Sequence, residues 1–310
     1  MAHPRVVLHI GLPKTGTTTL QTGLFARHDA WHFVGKPLLF TNAEMHRTIR
    51  PIVELDDEVY GAGLDSFRSD RIEALLRSPS DRIVISEEEF STGTVRTRVD
   101  RNTIAQRLRD LFPDARIIVT VRNQLDVIPS VYGQLVNMGV LVGRSFGSWL
   151  DEERAKRGDS DRLHLFDYAA LVQLYDRLFG AENVKVLLFE ELRADLDAYL
   201  TRLSRFIGVD PAAVIATYRG GSGGNRNPRI TMRHARWRRF TMAIPLIPWE
   251  VLLVGLRIRP SFYRFLEKGT ALDTHFSEEQ RRFLEEYYRV GNRALGERLG
   301  VELVELGYPV

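Results

Sequence analysis

Apolar residues along this chain follow two alternating patterns. Short, mainly apolar runs at 6–10, 83–85, 117–121 and 184–189 have the length and the β-branched content of strands buried on both faces. Between them the apolar positions recur at helical spacing. Leu20, Leu24 and Phe25 mark a first helix, and Leu64, Phe67, Ile72, Leu75 and Leu76 a second. Ile104, Leu108 and Leu111 mark another before the strand at 117–121. A helical stretch opens near Gln124 and leads through Phe146, Trp149 and Leu150 to Tyr168, Leu171, Leu174, Tyr175 and Leu178. Strands alternating with helices require right-handed crossovers, so the pattern predicts an α/β fold with a central, mainly parallel sheet flanked by helices. A helical carboxyl-terminal extension follows, whose last helix starts at a capping box, Ser277 and Gln280, and shows Phe283, Leu284, Tyr287 and Tyr288 on one face. No internal repeat, low-complexity stretch or clear linker interrupts the chain. It is read as one domain over 1–310, with an α/β core at 1–217 and a loop and helical part at 218–310.

Composition changes this picture little. A chain of 310 residues can bury a substantial core, and its net charge of +3 gives no global reason to expect nucleic acid. It has no cysteine, which removes disulfides, thiolate metal sites and a cysteine nucleophile. No His/Asp/Glu pattern suggests a metal site, and Asp56-Asp57-Glu58 is expected to be a solvated run. No signal peptide is visible, and no apolar run reaches the spanning length of about 20 residues, so a cytoplasmic location is expected.

The chemistry sits at two strand exits. After the first strand comes Gly11-Leu12-Pro13-Lys14-Thr15-Gly16-Thr17-Thr18-Thr19, then the first helix. A tight loop opening a helix points backbone N–H groups at one spot, with the positive end of the helix dipole behind them. Lys14 adds a full charge and the threonines add hydroxyls, a combination suited to phosphate or a similar anion. Gly11 and Gly16 have the spacing of the nucleotide P-loop, but that motif needs lysine directly after its second glycine. Here Thr17 stands in that place, and no magnesium arrangement is evident. The second exit is Arg122, after the strand at 117–121, with Ser130 on the following helix. A rigid guanidinium fork with a hydroxyl suits a second phosphate. Ligands of parallel sheets bind beyond the strands' carboxyl ends, so both motifs can meet one ligand.

The pair PKTGTTTL and VTVRNQLDVIPSVY resembles the two cofactor motifs of the sulfotransferase family, which has a P-loop-NTPase-like fold and uses 3′-phosphoadenosine 5′-phosphosulfate (PAPS). A third segment, 184–192, resembles the family's strand ending in an acidic residue and leucine. Together these cover about 5–210, and the S-x-E spacing of Ser86 and Glu88 most resembles bacterial and carbohydrate-acting members. The resemblance implies that Lys14, Thr15, Gly16, Thr17, Thr18 and Thr19 hold the 5′-phosphosulfate, that Arg122 and Ser130 hold the 3′-phosphate, and that 3′,5′-ADP is the product. It further implies a base near the end of the strand at 83–85, where Ser86-Glu87-Glu88-Glu89 follows. Glu88 ranks first and Glu87 second. Side chains alternate on an extended strand, so these two face differently, and Glu89 shares Glu87's side if extension continues. His28 and His32, flanking Trp31, are competing bases, whereas His9, inside the first strand, is expected to be a packed core residue.

The carboxyl-terminal third carries two more candidates. The glycine-rich loop 220–225 resembles, in position only, the family's loop that closes over PAPS; the family's fuller basic pattern is missing there. A basic, aromatic stretch followed by an apolar one, 229–256, suits a peripheral membrane contact, an acidic glycan or lipid acceptor, or a surface helix followed by a core helix. The acceptor class expected is a hydroxyl or amine of a glycan, lipid, peptide or small alcohol. Two rivals remain at this level: a kinase-like protein using ATP, and a catalytically silent nucleotide-binding or membrane-associated protein of the same fold.

Overall fold

Five strands form one parallel sheet: β1 (Val6–His9), β2 (His32–Gly35), β3 (Ile83–Ser86), β4 (Arg116–Val121) and β5 (Val184–Leu188), in the spatial order β2-β3-β1-β4-β5. The computed structural model describes residues 5–35, 43–92, 99–141, 143–156, 162–221, 230–244, 249, 253 and 259–310. β1 and β3 are buried along their whole length, which is why they read as continuous, mainly apolar runs rather than alternating ones.

The chain divides into two compact units. The first, Met1–Arg122 with Asp167–Asn225 and Gly291–Leu306, holds the sheet. On one sheet face Val7, Val84, Ile118 and Leu187 pack with Leu20, Leu24 and Phe25 and with Leu200, Leu203 and Ile207 of the helix Leu196–Ile207. The helix Tyr168–Phe179 packs on β4 and β5, and the helix Arg101–Leu111 packs beside it. Aspartates start these helices and the helix Pro211–Gly220. Asp100, Asp167, Asp195 and Asp210 each accept a backbone N–H of the first turn, at 2.7–3.3 Å. The second unit, Asn123–Phe166, Arg226–Val290 and Gly307–Val310, includes the helices Gln124–Asn137, Phe146–Lys156, Met232–Ala243 and Arg259–Glu267. Tyr132, Phe146, Trp149 and Phe276 stack at its centre, with ring centroids 5.2–6.0 Å apart. The capping box forms as its residues suggest: Gln280 N–H donates to Ser277 Oγ at 3.2 Å, and Ser277 N–H to Gln280 Oε1 at 3.1 Å.

Local structure adds to the sequence pattern in three places. Strand β2 is an edge strand of four residues, too short and too mixed to show a period, and it went unread. Asp56-Asp57-Glu58 is exposed, as a solvated surface run should be, and two of its carboxylates also have partners. Asp56 caps the helix Asp57–Phe67 by accepting Val59 N–H at 2.9 Å, and Asp57 pairs with buried Arg107 at 2.7 Å. Extension does not continue past Ser86 to Glu89: Glu89 opens the short helix Glu89–Thr92 and pairs with Arg50 at 3.1 Å.

Candidate active site

β1 lies between β3 and β4, at the point where the chain's connections switch from one side of the sheet to the other. Its carboxyl end is therefore open to a loop, and the residues after β1, β3 and β4 come together there. Leu12 N–H donates to Thr120 O at 3.2 Å, and Arg122 Nη1 to Lys14 O at 3.4 Å, which ties the loop to β4. Glu87 N–H donates to His9 O at 3.1 Å, which ties the end of β3 to β1.

The loop turns through two left-handed residues, Lys14 (φ 68°) and Gly16 (φ 88°). Only glycine takes that conformation freely, so Lys14 holds it at some strain. Gly11 is fixed by crowding: a Cβ there would lie 2.1 Å from Thr120 Oγ1 and 2.4 Å from Thr17 Cγ2. After Gly16 the chain forms a helical turn, Thr17–Leu20, that continues as a π turn over Gln21–Phe25.

The expected anion residues do different things. Thr15 is buried and its hydroxyl is used inside the loop, donating to Leu12 O at 2.6 Å; only its backbone is left for a ligand. Thr17 is also buried, and its hydroxyl donates to Glu88 Oε1. Thr18 and Thr19 are half-buried at the helix start. Lys14 is half-buried, and burial is the main cause holding its pKa below the usual lysine value. The nearby Glu88 carboxylate partly opposes that shift, and Arg122 adds to it. Lys14, Thr17 and Glu88 therefore form one charged cluster. The cluster joins the β1 loop to the end of β3. Glu87 is buried beside it, and its Oε1 accepts Glu89 N–H at 3.3 Å.

Arg122 stands at the exit of β4 with its guanidinium 4.9 Å from the ring centre of Phe189, the residue after β5. Tyr168 Oη donates to Arg122 O at 2.5 Å. Phe189 also flanks the loop, 3.0 Å from where a Gly16 Cβ would stand. The role of Phe189 as a platform for Arg122 was not legible: the motif marks the strand end, not what its first aromatic touches. Ser130 belongs to the second unit, half-buried on the helix Gln124–Asn137. His28 stacks on Trp31 at 4.5 Å, and His32 pairs in register with Ile83, the first residue of β3. Both lie at the amino-terminal end of the strands, away from Glu88, so geometry disfavours them as bases.

A family model described as "Sulfotransferase family" matches residues 6–212, two thirds of the chain. The chain belongs to the sulfotransferase family. A sulfotransferase from Alicyclobacillus acidocaldarius is similar over 99% of both chains, with a TM-score of 0.58 and 18% identity. At that identity the likeness is one of fold, and it extends past the family match into the helical carboxyl-terminal region. A mouse sulfotransferase complexed with PAP is similar over 95% of this chain and 89% of its own, with a TM-score of 0.40 and 16% identity. No curated protein matches this chain. Among the described residues of this family member no group of His, Asp or Glu could hold a metal ion, and no helix is long and apolar enough to cross a membrane. Residues 222–229, most of the glycine-rich loop and the first basic residues after it, lie outside the described residues, as do 245–248, 250–252 and 254–258 of the apolar stretch.

Proposed function

We propose that this sulfotransferase moves the sulfuryl group of PAPS to a hydroxyl or amine acceptor, in line, with a carboxylate as base. One observation carries the reading. Lys14 and Glu88, from the ends of adjacent strands, share a cluster in which Thr17 bridges the phosphate loop to the carboxylate. The residues fit the cofactor in kind: a lysine in a glycine-bearing loop at a helix start, with an arginine at the neighbouring strand's exit. Bound PAPS supplies an activated sulfuryl group whose departure leaves negative charge on the 5′-phosphate of 3′,5′-ADP.

Lys14 puts its ammonium where that charge collects, in a half-buried place where it acts more strongly than in water. The backbone of Thr15, Gly16 and Thr17, with Thr18 and Thr19, holds the same group. Glu88 takes the acceptor's proton, and the Thr17 hydroxyl fixes the carboxylate's orientation. Glu87 is the second candidate for that role. Arg122 reads the 3′-phosphate, with its guanidinium over the ring of Phe189; Ser130 has the same assignment by resemblance alone. The acceptor is a glycan, a lipid or a small alcohol. A peripheral membrane contact through 229–256 belongs to the same proposal by residue type alone: the helix Met232–Ala243 exposes Arg233, Arg236 and Arg239 together with Phe240 and Met242.

Calorimetry with 3′,5′-ADP, 5′-AMP and ATP tests the cofactor, and labelled PAPS with an acceptor panel tests the reaction. Tight 3′,5′-ADP binding with weak ATP binding supports the reading; the reverse order points to an ATP-using protein.

A further inference from the structure

His9, Ser86 and Thr120 lie on one face of three neighbouring strands. Register places His9 opposite Ser86 of β3 on one side and opposite Ile118 of β4 on the other, with Thr120 two residues beyond. Gln21, on the helical turn that covers this face, joins them. All four side chains are fully buried. The contacts form a line. Gln21 Nε2 is 2.8 Å from Ser86 Oγ, Ser86 Oγ 2.7 Å from His9 Nδ1, and His9 Nε2 3.4 Å from Thr120 Oγ1. Thr120 Oγ1 is 2.9 Å from Thr15 Oγ1, which reaches Leu12 O at 2.6 Å. The imidazole packs against the Phe25 ring, 5.3 Å between centroids.

The direction of every hydrogen bond in this line follows from its ends. Leu12 O can only accept, so Thr15 spends its one hydroxyl hydrogen there. Thr120 must then donate to Thr15 and accept from His9, which requires a proton on His9 Nε2. His9 Nδ1 is left as an acceptor, so Ser86 donates to it and in turn accepts from Gln21. At the far end Gln21 Nε2 also lies 3.5 Å from Ser86 O, an obligate acceptor, which independently places the amide nitrogen there. Both ends demand the same polarity. The line runs one way, from the first helical turn through the end of β3 to the anion loop.

We propose that His9 is a positioning residue: its neutral Nε2–H tautomer sets the placement of the loop at Lys14 relative to the Glu88-bearing end of β3. The inference rests on the functional reading above. Ser86 is two residues before Glu88, Thr15 follows Lys14, and the imidazole between them accepts on one side and donates on the other. A serine, threonine or asparagine has the polarity but not the span. Gly11 leaves room for the arrangement, since a Cβ there would lie 2.9 Å from His9 Nε2 and strike the Thr120 hydroxyl.

Two measurements test it. The first is nitrogen-15 NMR of the imidazole in the free wild-type protein. It should show Nε2 protonated and Nδ1 bare, without titration between pH 8 and pH 5. An Nδ1–H tautomer, or titration in that range, overturns the relay whatever the protein's substrate. The second is a double-mutant cycle on turnover and on 3′,5′-ADP affinity. Ser86→Ala and Thr120→Val each cut the line on one side of His9, and each should lower turnover about tenfold, the scale of losing a supporting hydrogen bond behind a functional group. The double variant should be no slower than the worse single one, because a line cut once is already broken. Multiplying losses mean independent local packing and overturn the proposal. If the wild type does not bind 3′,5′-ADP, the functional reading fails instead, and the tautomer alone decides the relay.

Discussion

Acid should destabilise this protein through His9, and the size of the effect follows from its burial. The imidazole is fully buried, and desolvation lowers its pKa from 6.5 to about 3. Between those values the unfolded chain carries a proton on this residue and the folded chain does not. Stability therefore rises with pH across that window. It is complete above 6.5 and is lost as pH falls towards 3. Each pH unit inside the window is worth about 1.4 kcal/mol, so lowering the pH from 8 to 4.5 should remove about 3 kcal/mol through this group. The perturbation is His9→Gln, which removes the titration. Its absolute stability is not the readout, because cutting the hydrogen-bonded line carries its own pH-independent cost. The slope is the readout. Urea unfolding of both proteins at pH 8 and pH 4.5, with equal m-values, should show the variant losing about 3 kcal/mol less than the wild type. Carboxylate titration contributes to both proteins and cancels in the difference. Equal losses would refute the reasoning: His9 would then be protonated in the fold or open to water.

Three further predictions concern the reaction. Glu88→Gln keeps the shape and the oxygen that Thr17 donates to, so 3′,5′-ADP binding should persist while transfer falls by roughly 10²–10⁴, measured by steady-state kinetics; if Glu87→Gln is the dead variant instead, the roles of the two carboxylates are exchanged. Lys14→Ala should lower kcat by about 10²–10³ with an unchanged Tm, and a folded variant with normal turnover removes its assignment. Arg122→Ala should weaken 3′,5′-ADP by about 2–5 kcal/mol and 5′-AMP much less, and equal calorimetric losses for the two ligands would show that the arginine does not read the 3′-phosphate.

Much of the fold was legible because its strands are buried on both faces. Four of the five strands appear as short, mainly apolar runs, and the residues with candidate chemistry follow directly after β1, β3 and β4. β2 was not legible, since an edge strand of four residues, two of them half-buried, has no period to detect. The site was legible by residue type rather than by contact. The motif locates Thr15 and Thr17 in the loop but does not tell that one hydroxyl turns inward to Leu12 O and the other across to Glu88. Those choices depend on backbone turns at Lys14 and Gly16 that only three dimensions show. His9 illustrates the same limit. Its burial was expected from its place inside a strand. Its partners Ser86, Gln21 and Thr120 are scattered through the sequence and meet only because β3 and β4 flank β1.

The most direct test of the account is transfer from PAPS labelled in its sulfuryl group, followed across a panel of glycan, lipid and small-alcohol acceptors, with Lys14→Ala and Glu88→Gln run beside the wild type. The account predicts label on at least one acceptor, an equal amount of 3′,5′-ADP released, and loss of both products in the two variants. Label that stays on PAPS with every acceptor, in a protein that binds ATP more tightly than 3′,5′-ADP, would contradict it.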